Sequence, residues 1–128
     1  MTEEKRRIEI GMMKIMPIFD VPAWEDIEKR LGSLDEAIAA LRKEKGWQRA
    51  TIAAATILCN RALEIAGDKP ITEAYAARMI RPIRAGEVRN ACLFAIAEGM
   101  RTEHRSDAED EPVDLVLREI EKKQEPAE

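Results

Sequence analysis

Aromatic side chains are scarce in this 128-residue chain, at 4% of all residues. That scarcity argues against a β-sandwich core of alternating aromatic and β-branched side chains. Ala, Ile, Leu and Met carry most of the 45% apolar share and favour packed helices. Cysteine is nearly absent too. Cys59 and Cys92 stand alone in apolar stretches, without the Cys-x-x-Cys or Cys/His spacing of a zinc site, and read as two buried free thiols. The single histidine, His104, lies in a charged stretch with no patterned Ser or Cys beside it, so it reads as a solvated residue. The chain has no glycine-rich phosphate loop, no His-Glu-x-x-His and no calcium-loop spacing of acids. These absences predict neither an enzyme nor a cofactor.

Long apolar runs are missing as well. The longest stretch of low charge, Ala50 to Asn60, falls far below the ~20 residues that span a bilayer. The first ten residues are charged and no apolar signal core follows them. The expectation is a cytoplasmic protein without a membrane partner. Charged residues make up 36% of the chain, with a formal net charge of −4. Residues 102–128 hold ten acids against four bases, whereas residues 1–101 hold fifteen acids against seventeen bases. A near-neutral body with an acidic tail matches a phosphate backbone poorly.

The apolar residues that are present repeat mostly with helical spacing. Ile8, Ile10 and Met12 alternate with polar neighbours over a short extended segment, and Met13, Ile15, Met16, Ile18 and Phe19 continue as an apolar stretch broken by Pro17. Asp20 and Pro22 open a helix with Trp24, Ile27 and Leu31 on one stripe, ended by Gly32. Ser33 and Glu36 have capping-box spacing before a helix that buries Leu34, Ala37, Ile38 and Leu41 and stops before Gly46. Trp47 to Ala66 forms the longest helix, with Trp47, Ala50, Ala54, Ile57, Leu58 and Ile65 at helical spacing. Its middle is apolar nearly all round, which places it at the centre. Thr72 caps a short helix running to about Arg81, with Tyr75, Met79 and Ile80 inward, and Pro82 interrupts the pattern. A last body helix runs from about Ile83 to Met100 on a stripe of Val88, Cys92, Ala95, Ile96 and Met100. The small residues Ala91, Ala95, Ala97 and Gly99 would let another helix approach closely.

Residues 102–111 read as an acidic linker, and residues 112–124 as an amphipathic helix with Val113, Val116, Leu117 and Ile120 on one face. The fold expected is therefore mainly α, a single-domain bundle of about five to six helices over residues 1–101 with a short extended or β-like N-terminal segment.

Two apolar features point to protein partners. Met12, Met13, Ile15, Met16, Ile18 and Phe19 form a methionine-rich segment that either adapts to a partner or closes the helical core. Val113, Val116, Leu117 and Ile120 could contribute on the order of 6–10 kcal/mol if covered, before the ordering cost. That stripe can fold back on the body, dock elsewhere or exchange between subunits. The arginines Arg78, Arg81, Arg84 and Arg89 surround Pro82 and support an alternative, a small helical nucleic-acid-binding regulator. The long apolar helix before them does not suit a helix-turn-helix, so nucleic acid is the weaker partner.

The runs FDVPAWEDIEKRLGSLDEAIAAL, LEIAGDKPITEAYAARMIRP and AIAEGMR, with DLVLREIEKK near the end, resemble the tail assembly chaperones of long-tailed, siphovirus-like bacteriophages and prophages, over about Ile15 to Lys123. The elements that carry the likeness are a Trp-x-x-Ile-Glu helix, a Gly-Ser-Leu-Asp cap and a Thr-Glu helix start. The resemblance implies a small helical protein without enzymatic activity that coats the tape-measure protein, helps recruit the tail-tube protein, self-associates and often has a longer frameshifted form. It identifies no particular contact residue.

Overall fold

The computed structural model describes residues 1–101. Six helices and one β-hairpin build the body, a mainly α architecture of the expected class. The elements are α1 (Glu3–Arg6), β1 (Ile8–Ile10), β2 (Met13–Ile15), α2 (Val21–Leu31), α3 (Leu34–Leu41), α4 (Trp47–Ala66), α5 (Glu73–Met79) and α6 (Ala85–Gly99), with a 3₁₀ turn at Pro82–Arg84 before α6. The linker at 102–111, His104 and the amphipathic stretch 112–124 lie outside the described residues.

The alternation at the N-terminus resolves into a hairpin. Ile8 pairs with Ile15, Glu9 with Lys14 and Ile10 with Met13 in antiparallel register. The two-residue connection uses Gly11 at φ +64°, a conformation that suits glycine. Ile8, Ile10 and Ile15 are buried, while Glu9 and Lys14 face solvent as an opposite-charge cross-strand pair. Met12 does not continue the inward stripe, because the chain reverses there; its side chain is 99% exposed. The amide of Gly11 donates to the Met79 carbonyl at 3.5 Å, which ties the hairpin tip to the end of α5.

Local chemistry sets the helix ends. Asp20 Oδ1 accepts from the Ala23 amide at 3.2 Å and starts α2. Gly32, at φ +95°, separates α2 from α3, and the capping box forms with Glu36 N–H to Ser33 Oγ at 3.1 Å and Ser33 N–H to Glu36 Oε1 at 2.8 Å. Thr72 caps α5 by accepting from the Tyr75 amide. α5 stops at Met79, two residues short of the expected end, because Arg81 takes an extended backbone ahead of Pro82. α6 correspondingly begins at Ala85, after the 3₁₀ turn, and includes Gly86.

α4 is the central element. Ala50, Thr51, Ala53, Ala54, Ala55, Thr56, Leu58, Cys59 and Leu63 are all buried, and α4 packs against α2, α3, α5 and α6. Its last turns leave that pattern: Ile65, expected on the inner stripe, is 59% exposed. Met100 is likewise exposed at the end of α6, where the helix has passed the core. Ion pairs bind helices across the surface: Arg30 of α2 to Glu73 of α5 in a two-pronged contact at 3.1 and 2.8 Å, Arg49 of α4 to the same Glu73 at 3.9 Å, and Arg61 of α4 to Asp20 at 2.7 Å.

Asn60 closes the connection between α4 and α5. Its Nδ2 donates to the Ile71 carbonyl and its Oδ1 accepts from the Ile71 amide, both at 2.8 Å. The side chain thus imitates a paired strand for one residue of loop. Asn60→Asp keeps the acceptor but sets a carboxylate oxygen against the Ile71 carbonyl. We expect a loss of about 2 kcal/mol in urea unfolding, with faster hydrogen exchange at the Ile71 amide. Unchanged exchange would mean that the bonds contribute nothing to holding the loop.

Candidate interaction surface

Between β2 and α2 the chain runs extended from Met16 to Phe19 across the bundle. Pro17 favours this conformation, since its ring fixes φ and disfavours helix at the preceding residue. Three contacts pin the segment. The Ile18 amide donates to the Leu58 carbonyl of α4 at 3.2 Å. Phe19 is buried and meets the Trp24 ring at a centroid distance of 6.1 Å. Asp20 is held by Arg61, and that hydrogen bond raises the arginine's pKa above its ordinary value.

The closest approach is at Gly99 of α6. A Cβ there would run into the Phe19 carbonyl and ring, so only glycine lets α6 lie this near the segment. At Gly99 the close neighbour is the Phe19 segment rather than the helix expected from the sequence, and Ala97, expected beside it, is exposed.

The six N-terminal candidates split between the inside and the surface. Ile15 and Phe19 are buried in the core, and Met13 packs against it. For these three the alternative of closing the helical core holds: the hairpin and the Phe19–Trp24 contact turn them into the bundle. Met12 is fully exposed at the hairpin tip. Met16 and Ile18 are half-buried and form a ridge with a groove on either side.

One groove, of about 250 Å³, lies between the ridge and α6, with Ala91, Phe94 and Ala95 as its far wall. The Arg6 guanidinium sits 5.4 Å above the Phe94 ring at its edge, joining α1 to α6. The other groove, of about 470 Å³, lies between the ridge and the end of α4, where Ala62, Leu63 and Ala66 line it. Phe94, Arg6 and the α4 residues do not figure among the sequence-derived candidates. Phe94 had a signal in the sequence, an aromatic lying off the α6 stripe of Val88, Cys92, Ala95 and Ile96. Arg6 and Ala62 had none, because folding alone brings them to the ridge. Val113, Val116, Leu117 and Ile120 lie outside the described residues.

The arginines around Pro82 do not form one free basic face. Arg84 pairs with Glu87 at 3.1 Å, and Arg89 stacks 4.5 Å above the Trp47 ring. Arg78 and Arg81 are exposed. Among the described residues no group of three His, Cys, Asp or Glu side chains could hold a metal ion, and no helix is long and apolar enough to cross a membrane. No family model, curated protein or solved structure matches this chain.

Proposed function

We propose that this chain is a tail assembly chaperone of a long-tailed bacteriophage or prophage, working in the bacterial host cytoplasm. It would bind the tape-measure protein by reversible apolar contact, assist assembly of the tail-tube protein and self-associate. The observation that carries the proposal is the Met16–Ile18 ridge with an apolar groove on each side. A groove beside a flexible methionine accepts the apolar face of an amphipathic helix, the chemistry that a long helical client presents repeatedly. The sequence resemblance supplies the identity of that client; the surface supports only its kind.

Co-expression with the tape-measure protein of the same gene cluster tests the proposal. The native chain should raise the soluble fraction of that protein several-fold, and Ile18→Asp should remove most of the gain while the chaperone itself stays folded. Ile18 is only partly buried and lies between two surface grooves, so the aspartate can turn toward water without opening the core. An unchanged soluble fraction at several expression ratios would overturn the proposal.

A further inference from the structure

The groove between the Met16–Phe19 segment and α6 lies at the point where the described body ends. Glu98 and Gly99, in the last turn of α6, form its lip, and Met100 and Arg101 follow. The chain therefore continues past Arg101 from beside an apolar groove that no described residue covers. Residues 102–128 carry one strong apolar stripe, Val113, Val116, Leu117 and Ile120, at the spacing of a helix face.

We propose that this stripe docks in cis into the groove walled by Met16, Ile18, Phe94 and Ala95, so that the chain covers its own sticky surface. Length, reach and charge agree. As a helix, Val113 to Ile120 would measure ~12 Å, and the α6 wall from Ala91 to Gly99 also measures ~12 Å. Residues 102–112 reach ~35 Å when extended, ample to reverse direction from the end of α6. So short a tether holds the stripe at an effective concentration in the millimolar range, so even a weak contact is occupied much of the time. The tail segment carries ten acids against four bases, while the body has a basic excess; the groove carries Arg6 at its α1 edge and Glu98 at its lip, so an acidic run is favoured only on the Arg6 side. The acidic run at 107–111 can pass that edge favourably.

The docking does not depend on which partner the body serves. Where the tape-measure proposal holds, it adds a regulatory step: the client helix must displace the stripe, and a chaperone without cargo stays soluble.

A spin label on the full chain tests this directly. Cys59 and Cys92 are buried, so a label attached to Lys122→Cys reacts at that position alone. At helical spacing, position 122 would fall on the face away from Val113, Val116, Leu117 and Ile120, so the label would leave the stripe free to dock. We expect the methyl signals of Met16 and Ala95 to broaden strongly, those of Met12 and Met79 little, and Leu117→Asp in the labelled chain to restore Met16 and Ala95. A mixture of spin-labelled, isotope-free chain with isotope-labelled, spin-free chain should show no broadening. Absent or uniform broadening, persistence in Leu117→Asp, or broadening in the mixture would each overturn docking in cis. None of these results bears on tape-measure solubility, which the co-expression experiment reads separately.

Discussion

Leu58→Ala should destabilise the protein by about 3–4 kcal/mol and lower its melting temperature by about 15–25 °C. Leu58 is fully buried at the centre of the helix that contacts most other elements. Truncation there leaves a cavity that the surrounding helices fill only by moving. They have little freedom to do so, because the neighbouring positions Ala54 and Ala55 already bring backbones close together. A body of this size has a total stability of about 5–15 kcal/mol, so a loss of that order removes much of it. The carbonyl of the same residue accepts the Ile18 amide, which places this part of the core directly beneath the ridge. The Met16–Ile18 surface should therefore loosen before the bundle melts, and hydrogen exchange at Ile18 should rise more than the global change requires. Ile65→Ala on the same helix is the control. Ile65 faces solvent and should change stability by less than about 0.5 kcal/mol. Equal effects from the two substitutions would refute the assignment of inner and outer faces to α4.

That pair of residues also marks how far the sequence carries. Both lie at helical spacing on an apolar stripe, and the spacing alone does not distinguish them. The bundle ends before α4 does, so Ile65 projects past the core while Leu58 sits in its middle. Caps were legible because their chemistry is local: Asp20, Ser33 with Glu36, and Thr72 each bond within three residues of their own position. The central place of α4 was legible because its middle is apolar on every face. The hairpin was only half visible. Alternation from Ile8 to Met12 showed extended chain, but the reversal depends on one glycine and on a second strand containing only three residues.

The groove was the least legible feature. Its walls come from α1, the extended segment and α6, and their juxtaposition depends on Gly99 allowing contact with Phe19. A one-dimensional pattern marks Met16 and Ile18 as apolar but cannot say that Ile15 and Phe19 turn inward beside them. Asn60 escaped notice for a similar reason. Its two bonds reach eleven residues along the chain, beyond any capping motif.

The two thiols should make the protein sensitive to alkali while remaining unreactive when folded. Burial pushes Cys59 up to about 12, and Cys92 is raised as well, first by its own burial and then by the proximity of Cys59. A thiol in the unfolded chain loses its proton near pH 9, whereas the folded Cys59 keeps it to about 12. Between those values the native state binds more protons than the unfolded state, so stability falls as pH rises. The stabilising contribution is complete below pH ~9 and is lost through the folded pKa. Cys59 alone should cost about 1.4 kcal/mol per pH unit across that window, and Cys92 makes the slope steeper. Urea unfolding at pH 8, 9, 10 and 11 reads the effect, with Cys59→Ala/Cys92→Ala as the reference that keeps every other titrating group. The native chain should lose stability relative to that variant above pH 9 and run parallel to it below. At pH 8 a thiol reagent should modify the native protein only as fast as the bundle unfolds, because both sulfurs are enclosed and protonated. Rapid modification of the folded protein, or identical alkaline slopes with and without the cysteines, would show that α4 and α6 do not seal these side chains between them.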